Sequence, residues 1–278
     1  MGKVTLVTGA TSGMGKATAL LLASKGYEVY AGSRNPSDGE ALVSEAKGRG
    51  IPLKTVQLDV TDDGSVRAAV SHVANESGRL DNLVNNAGFG FLGTVEEATD
   101  PEILHQFDVN VFGVGRMCRA ALPLMRSQRS GVIINISSWL GRMGFPLLTY
   151  YNASKYAVEA ITDSLRYEVA PFGIRVHSVM PGLFGTRFVS KGLVANPATV
   201  SPASPYAALA AKIVPVVAKK INEGPDPVAV AEAVLRVIED AGSPIRTPVG
   251  VEAETFVPMA KQLTDEAFET KVKEIFGL

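Results

Sequence analysis

Short apolar runs alternate along the chain with longer segments of helical period. No regular polar alternation breaks these runs, which is typical of strands buried on both faces of a parallel sheet. Helices between the strands would cover both faces, so the pattern predicts a doubly wound α/β fold. About seven strands are predicted, at residues 4–8, 28–32, 53–58, 83–85, 132–137, 175–180 and 245–249.

The segment 184–227 differs from its surroundings because it is rich in Ala, Val, Ser and Pro. We interpret it as a helical insert. It follows the carboxyl end of a predicted strand, which is where open α/β sheets bind ligands. The segment is therefore expected to form a substrate lid, although a simple surface excursion would have the same composition.

Length, composition and charge suit one domain over residues 1–278. The chain has 278 residues, 46% of them hydrophobic, which is enough for a single large core. Lys and Arg number 27 against 28 Asp and Glu, so nucleic acid is not an expected partner. The apolar stretches are much shorter than the roughly 20 residues that span a bilayer, which argues against integral membrane contact.

Cysteine and histidine usage indicates a reducing compartment and no metal site. Cys118 is the only cysteine, so an intrachain disulfide is impossible and a cytoplasmic location is expected. The first predicted strand begins almost at the initiator methionine, and the whole chain is expected to be the mature protein. The histidines are scattered without metal-ligand spacing, so no metal is expected.

A glycine-rich turn joins the first predicted strand to the first predicted helix. Its glycines allow positive φ and the close approach of a pyrophosphate, and the helix amino end supplies free N–H groups. The expected phosphate contacts are Gly9, Thr11, Ser12, Gly13, Met14 and Gly15. The alternative is a turn that only packs a strand against a helix.

The end of the second predicted strand indicates which dinucleotide binds. An acid there would hold a ribose 2′-hydroxyl, whereas an arginine accommodates a 2′-phosphate. The chain has Ser33 and Arg34 at this point, and together they offer a hydroxyl donor and a bidentate guanidinium. This favours NADP(H). NAD(H) stays possible, because Asp38 is close in sequence and Arg34 could be a solvated loop residue.

Tyr151 and Lys155 lie four residues apart in a segment of helical period, so they share one helix face. A phenol has an ordinary pKa of about 10, and an adjacent ammonium should lower that pKa toward the working range of an acid–base catalyst. Ser138 follows an apolar strand at the edge where ligands bind, and its hydroxyl could orient a substrate oxygen. Each residue taken singly could instead be a packing or turn residue.

Together these residues resemble the short-chain dehydrogenase/reductase family, over residues 3–186. The motifs that carry the resemblance are Thr8-Gly9-x-x-x-Gly13-x-Gly15, Asn85-Asn86-Ala87-Gly88, Ser138 and Tyr151-Asn-Ala-Ser-Lys155, with Asp59, Asn110, Pro181-Gly182 and Thr186 in further family positions. The resemblance implies a Rossmann-type sheet and a nicotinamide-dependent oxidoreductase that interconverts a carbonyl and an alcohol.

The resemblance implies a catalytic tetrad. Tyr151 would donate the proton, Ser138 would polarise the carbonyl, and Lys155 would lower the phenol pKa and bind the nicotinamide ribose. Asn110 would complete a water-linked proton relay, although from the residues alone it could equally be a structural amide inside a helix.

The resemblance also assigns contacts for the rest of the cofactor. Asp59 and Val60 would flank the adenine, although Asp59 alone could be a strand-end cap. Thr186 would contact the nicotinamide carboxamide or the phosphates. The remaining expected contacts lie in two turns, at Asn86, Ala87 and Gly88 near the adenine-side ribose and at Pro181 and Gly182.

The residues expected near the nicotinamide are mostly apolar, which suits an apolar ketone or aldehyde as substrate. They are Phe89, Phe91, Trp139, Leu140, Met143, Phe145, Phe184 and Phe188. Arg142 and Arg187 border the same region and could hold a substrate carboxylate, or could simply be solvated. Family members usually form a four-helix interface from the helices at 101–128 and 149–170, so a homodimer or homotetramer is expected.

Three functions follow from this reading. The leading one is an NADP(H)-dependent carbonyl reductase, similar also to the hydroxysteroid dehydrogenase-like members of the family. The main alternative is an NAD-dependent alcohol or hydroxysteroid dehydrogenase. A third is a regulatory binding protein that senses the cofactor, but its usual sign, a broken tetrad, does not occur in this sequence.

Overall fold

The fold is described from a computed structural model, for residues 2–186 and 192–278. The strands are β1 (Val4–Val7), β2 (Glu28–Ser33), β3 (Lys54–Gln57), β4 (Asn82–Asn85), β5 (Gly90–Leu92), β6 (Gly131–Ile136), β7 (Ile174–Pro181), β8 (Leu193–Ala195) and β9 (Arg246–Val249). The α-helices are α1 (Gly13–Ser24), α2 (Pro36–Gly48), α3 (Asp63–Ser77), α4 (Asp100–Phe107), α5 (Gly113–Gln128), α6 (Thr149–Val169), α7 (Ala207–Asn222), α8 (Val228–Glu239), α9 (Val251–Gln262) and α10 (Asp265–Phe276).

Seven parallel strands form the central sheet, in the order β3-β2-β1-β4-β6-β7-β9. The predicted Rossmann-type sheet flanked by helices is confirmed, and each predicted strand is found with both ends within one residue. The strand order reverses between β1 and β4. Ligands of such sheets bind outside the carboxyl ends of the strands at this point.

Successive residues of the central strands face opposite sides of the sheet and build two cores. Leu6, Leu83 and Ile133 are in register and pack in one core. Their neighbours Val7, Val84 and Ile134 pack in the other core. This arrangement explains why the strands are continuous apolar runs, because both faces of the sheet are covered by helices.

A third apolar cluster lies beside the sheet. It joins α7, α9 and α10 to the chain that follows β6, and its buried members include Trp139, Phe145, Ile213 and Phe256. The carboxyl-terminal helices therefore pack beside the edge of the sheet where β6 ends.

The segment 184–227 is only partly helical. Of its described residues, Leu193–Ala195 form β8, which pairs in parallel with β5, and the α-helix α7 starts at Ala207. The predicted helical insert thus contains the helix α7 and, in addition, a short strand. The two short strands carry too few residues for a visible period, so the sequence pattern did not predict them.

The predicted helix over residues 101–128 is interrupted. A π-helical turn at Asp108–Phe112 joins α4 to α5, and Asn110 lies in this turn. Such turns contain one extra residue per turn and are frequent at functional sites. None of the described helices is both long and apolar enough to cross a membrane.

Candidate active site

The glycine-rich turn has the backbone geometry that its sequence predicts. Gly9 and Gly13 have φ values of 60° and 54°, in the left-handed region that favours glycine. A Cβ on Gly15 would lie 2.3 Å from Asn86 Nδ2, and a Cβ on Gly9 would lie 2.9 Å from the Ala87 Cα atom. The turn therefore has no room for side chains at Gly9 and Gly15.

The end of β4 braces this turn. The Asn86 side chain donates hydrogen bonds to the carbonyls of Thr8 and Gly9, at 2.9 and 3.1 Å. The Thr8 hydroxyl accepts hydrogen bonds from the backbone N–H groups of Asn86 and Ala87. The Asn86 amide is thus engaged in holding the turn, and the Thr8 hydroxyl is a bracing group that the predicted cofactor contacts did not include.

The amino end of α1 is suited to bind phosphate. Ser12 precedes the helix and is exposed, so the first backbone N–H groups of α1 lie at an accessible surface. A groove of about 740 Å³ begins at Ser12, Gly13 and Thr186 and runs along the outer face of α1. Thr186 is close to Gly13, since a Cβ built on Gly13 would meet its side chain at 3.6 Å. These features fit the pyrophosphate of a dinucleotide.

Two further predicted residues of this turn are less exposed than Ser12. Thr11 and Met14 are half-buried, and Met14 packs against the core beneath α1.

At the end of β7, the backbone N–H of Gly182 donates to Val249 O at 2.8 Å. The turn at Pro181 and Gly182 is therefore tied to β9.

Ser33 and Arg34 differ in their freedom to bind a phosphate. The Ser33 side chain is buried, and its hydroxyl donates to the Asn35 carbonyl at 2.8 Å. The hydroxyl that Ser33 is expected to offer to a phosphate is thus donated to the backbone in this structure. Arg34 is exposed, and Asp38 is on the first turn of α2, where it accepts a hydrogen bond from Asn35 Nδ2 at 3.2 Å.

Asp59 and Val60 follow β3 at the same edge of the sheet. Burial acts to raise the pKa of Asp59, but hydrogen bonds from the Thr61 backbone and hydroxyl, together with the Arg34 charge, lower it. Asp59 is thus an ionised strand-end cap with Arg34 in its field. Val60 is buried, and its carbonyl accepts a hydrogen bond from Arg116 at 3.1 Å.

Helix α6 carries Tyr151 one turn before Lys155, and the Tyr151 phenol is hydrogen bonded to Ser138. Ser138 follows β6, where its hydroxyl also accepts a hydrogen bond from the Leu140 N–H at 3.1 Å. Burial raises the pKa of Tyr151 to about 12, and the bond with Ser138 acts in the opposite direction. The expected lowering of the phenol pKa is not observed, because loss of solvation outweighs the favourable contacts.

Lys155 is buried beside the phenol. Its Nζ atom donates to the Ile136 carbonyl at 2.9 Å and lies 5.7 Å from the centre of the Tyr151 ring. Burial lowers the pKa of Lys155 to about 8, against the opposing charge of Glu159. The ammonium form therefore predominates at neutral pH.

Asn110 reaches the site from the π-helical turn. Its amide accepts from the Phe89 N–H at 3.0 Å and donates to the Phe89 carbonyl at 2.9 Å and to Ser154 at 3.1 Å. A Cβ built on Gly88 would lie 3.1 Å from Asn110 Oδ1 and 3.8 Å from Lys155 Nζ. The structure thus brings Asn110 and Lys155 together next to Gly88.

The expected apolar residues lie mainly inside the core. Trp139 and Phe145 are buried and pack against Phe256 and Phe276 of the carboxyl-terminal helices, with ring centres 4.7–6.2 Å apart. Phe184 belongs instead to the core beneath α1 and α8. Phe89 is half-buried, whereas Phe91, Leu140 and Met143 are buried; the predicted Phe188 and Arg187 lie outside the described residues.

Arg142 is turned toward the protein. Its Nε atom is buried and lies 3.9 Å from the Glu159 carboxylate. The carboxylate next to Arg142 is therefore that of Glu159, where the prediction had expected the carboxylate of a substrate. Within the described ranges, no group of three or more His, Cys, Asp or Glu could hold a metal ion.

Comparison with known proteins identifies the family. The model for short chain dehydrogenase matches residues 3–193. The 3-ketodihydrosphingosine reductase of Bacteroides thetaiotaomicron is 39% identical over 248 residues, covering 89% of this chain and 88% of that protein. The cyclopentanol dehydrogenase of Comamonas testosteroni is 36% identical over 241 residues, covering 87% and 91%. The chain belongs to the short-chain dehydrogenase/reductase family.

Solved structures of this short-chain dehydrogenase/reductase fold agree with that assignment. A short-chain dehydrogenase from Streptomyces avermitilis gives a TM-score of 0.82 at 34% identity, covering 99% of this chain and 96% of that one. A Burkholderia phymatum family member in complex with NAD gives 0.81 at 25% identity, covering 97% and 95%. A metagenomic one in complex with NADP gives 0.70 at 25% identity, covering 88% and 95%. The neighbours thus include both cofactors.

As a short-chain dehydrogenase/reductase, the protein is an oxidoreductase that acts on CH–OH or C=O groups. The sequence motifs located its phenol, hydroxyl and ammonium but missed three neighbours. Gln106 donates to the Phe89 carbonyl beside Asn110, and the rings of Phe256 and Phe276 back Trp139. They lie on α4, α9 and α10, and only the helical period of these segments could have suggested them.

Proposed function

We propose that this protein is an NADP(H)-dependent oxidoreductase that interconverts a ketone or aldehyde and an alcohol on an apolar small molecule. The observation that carries the proposal is the hydrogen bond between Tyr151 and the buried Ser138, with Lys155 one turn further along α6. A phenol and a hydroxyl that meet at the carboxyl end of a parallel strand can both bond to one substrate oxygen.

When bound, the nicotinamide supplies a hydride to a carbonyl carbon or takes one from an alcohol carbon. Tyr151 donates a proton to the substrate oxygen in reduction and accepts one in oxidation. Because burial raises the pKa of Tyr151 to about 12, the phenol carries its proton at neutral pH and is ready to donate. Ser138 donates a hydrogen bond to the oxygen as negative charge develops there.

Lys155 and Asn110 act around the phenol. The ammonium of Lys155 favours the phenolate that Tyr151 becomes after it has donated its proton. Asn110 and Lys155 both lie next to Gly88, and this polar region is where we place the relay that returns a proton to the site. The backbone contacts of Asn110 to Phe89 fix its amide for that role.

The preference for NADP(H) rests on the residues around the end of β2. The strand leads into Arg34, which is exposed. Asp38, on the first turn of α2, accepts a hydrogen bond from the Asn35 side chain. A guanidinium at this point binds a 2′-phosphate with two parallel hydrogen bonds. The Asp59 carboxylate attracts the Arg34 guanidinium electrostatically and so helps to keep that positive charge at this edge of the sheet.

We also propose that the segment 184–227 covers the substrate and that the protein is a homodimer or homotetramer assembled through α4, α5 and α6. Leu104, Phe112 and Tyr167 support the assembly, because these large side chains of the helices are 53–80% exposed. The names of the two relatives, a reductase and a dehydrogenase, are consistent with one machinery that works in both directions.

The test is turnover by the purified protein. NADPH, and separately NADH, is mixed with a panel of apolar ketones and aldehydes, and the loss of the nicotinamide absorbance is followed. We expect NADPH-selective turnover that falls by about 100- to 10,000-fold in Tyr151→Phe. The neighbouring Tyr150→Phe serves as the matched control and should keep its activity.

The other outcomes of this test are distinct. A preference for NADH would refute the cofactor assignment while leaving the reaction in place. Tight cofactor binding without turnover of any carbonyl or alcohol would refute the enzyme and favour a cofactor-sensing protein.

A further inference from the structure

A buried carboxylate lies behind the candidate active site. Glu159 is one helical turn beyond Lys155 on α6, and its side chain is only 4% exposed. Acidic side chains are rarely buried to this extent unless they are paired, because an ionised carboxylate loses its hydration in the interior. No catalytic motif includes Glu159, so its burial needs a separate explanation.

Three other segments supply the partners of this carboxylate. Ser178 of β7 donates a short hydrogen bond to Glu159 Oε1. Arg246 of β9 donates from Nε to Glu159 Oε2 at 2.5 Å, and Arg142, after β6, lies 3.9 Å from the same oxygen. Arg246 also binds Asp163, whose side chain is 47% exposed. Glu159 is thus a buried anion held between two guanidinium groups.

Glu159 and Lys155 occupy neighbouring positions over the sheet. Lys155 binds the carbonyl of Ile136 on β6, and Ile136 is paired with Val179 on β7, the residue after Ser178. Gly141 packs against both positions, since a Cβ there would lie 3.1 Å from Glu159 Cγ and 3.2 Å from the Lys155 carbonyl. The two side chains of opposite charge are therefore one turn apart in a region that excludes water.

Among the described residues, Lys155 faces two titratable groups from α6 itself, the phenol of Tyr151 and the carboxylate of Glu159. The π-helical turn and the chain after β4 contribute the neutral groups Asn110 and Gly88. Arg246 and Arg142 reach this region through their contacts with Glu159.

We propose that Glu159 and Arg246 form a buried charge pair that sets the pH range in which Lys155 is an ammonium. Glu159 is then a positioning residue, because it acts through Lys155 and does not touch the substrate. The role of Lys155 in turnover rests on the proposed function, whereas its titration is a property of the folded protein and can be measured separately.

Two substitutions are expected to shift this titration in opposite directions. Glu159→Gln removes the anion and leaves the Arg246 cation beside Lys155, so the ammonium becomes less stable. Arg246→Gln removes the cation and leaves the Glu159 carboxylate, which Arg142 still faces, beside Lys155, so the ammonium becomes more stable. Charges in such an interior are screened only weakly by salt.

The experiment is an NMR titration of protein with isotopically labelled lysine side chains, without added cofactor. The Lys155 signal is assigned by its loss in Lys155→Arg. We expect the midpoint of Lys155 to fall by about one pH unit in Glu159→Gln and to rise by about one in Arg246→Gln. Asp163→Asn is the matched control, because it removes the exposed partner of Arg246, and it should leave the midpoint unchanged.

The alkaline limit of ketone reduction should move in the same order as these midpoints. Shifts in one common direction, no shift in either variant, or an equal shift in Asp163→Asn would overturn the proposal. If Glu159→Gln does not fold, Arg246→Gln against Asp163→Asn still decides it by the same criterion. Opposite shifts without any carbonyl turnover would uphold the charge pair and refute only the proposed reaction.

Discussion

At the scale of single residues, burial controls which groups carry a proton. It raises the pKa of Tyr151 to about 12 and lowers that of Lys155 to about 8, so at neutral pH one is a phenol and the other an ammonium. The same effect acts on Cys118, whose pKa burial raises to about 12. The thiol is consequently a packing group and a poor nucleophile.

Arg34→Ala tests the cofactor assignment at this scale. Loss of a bidentate contact to the 2′-phosphate should raise the KM for NADPH by about 10- to 100-fold, since hydrogen bonds to charged groups contribute about 1.5–3 kcal/mol. The KM for NADH should not change, because NADH lacks that phosphate. Initial-rate measurements with both cofactors check this, and a parallel loss with NADH would contradict it.

Residues whose role depends on local spacing could be predicted from the sequence, and those that depend on distant partners could not. Tyr151 and Lys155 follow from a helical spacing of four residues. The hydrogen bond from the Ser33 hydroxyl to the Asn35 carbonyl was not predicted. The pairing of Glu159 with Arg246 joins residues 87 positions apart, and no local pattern reveals it.

At the scale of elements, β5 and β8 connect the proposed substrate cover to the site. Asn196, which follows β8, is buried and donates to both carboxylate oxygens of Glu102 on α4, at 3.0 and 3.1 Å. Its backbone N–H donates to the Leu92 carbonyl at 2.7 Å. The strand β8 is therefore held on the segment that carries Phe89, to which the Asn110 amide is bonded.

Asn196→Ala should weaken this attachment. Leaving the Glu102 carboxylate without its amide partner costs about 1–3 kcal/mol. We expect a KM for the ketone that is several-fold higher, with an unchanged Kd for NADPH because the glycine-rich turn is not affected. Ser201→Ala, in the following turn, is the control. A lower thermal stability with no change in KM would show that the segment does not cover the substrate.

The elements themselves differ in how visible they are in the sequence. The central strands of the main sheet, such as β1, β4 and β6, were predicted because they are buried on both faces and most of their residues are apolar. The strands β5 and β8 have three residues each, which is too short for a recognisable hydrophobic pattern in the sequence. The π-helical turn around Asn110 keeps a helical period, so the interruption between α4 and α5 was not predicted.

At the scale of the whole molecule, the carboxyl-terminal helices support the site from behind. Phe256 on α9 and Phe276 on α10 stack on Trp139, the residue after Ser138. Residues more than a hundred positions apart are thereby packed into one aromatic cluster. The order of the site depends on the last helix of the chain as well as on the sheet.

Phe276→Ala tests this dependence. Removing a half-buried ring should lower the free energy of unfolding by about 2 kcal/mol and should also slow turnover, because Ser138 loses support through Trp139. The neighbouring Ile275 is 51% exposed, so Ile275→Ala should change neither quantity appreciably. Denaturant titrations and activity assays of both variants provide the comparison. Equal losses in the two variants would contradict the role of the cluster.

The position of Trp139 has a practical consequence. It is the only tryptophan in the chain, it is buried, and it adjoins the hydroxyl that is hydrogen bonded to Tyr151. Its ultraviolet emission therefore comes from one known place, and reduced nicotinamide absorbs light at the wavelengths that indole emits. The protein thus contains an intrinsic fluorescent reporter, whose quenching would follow the arrival and departure of the cofactor in real time without any attached dye.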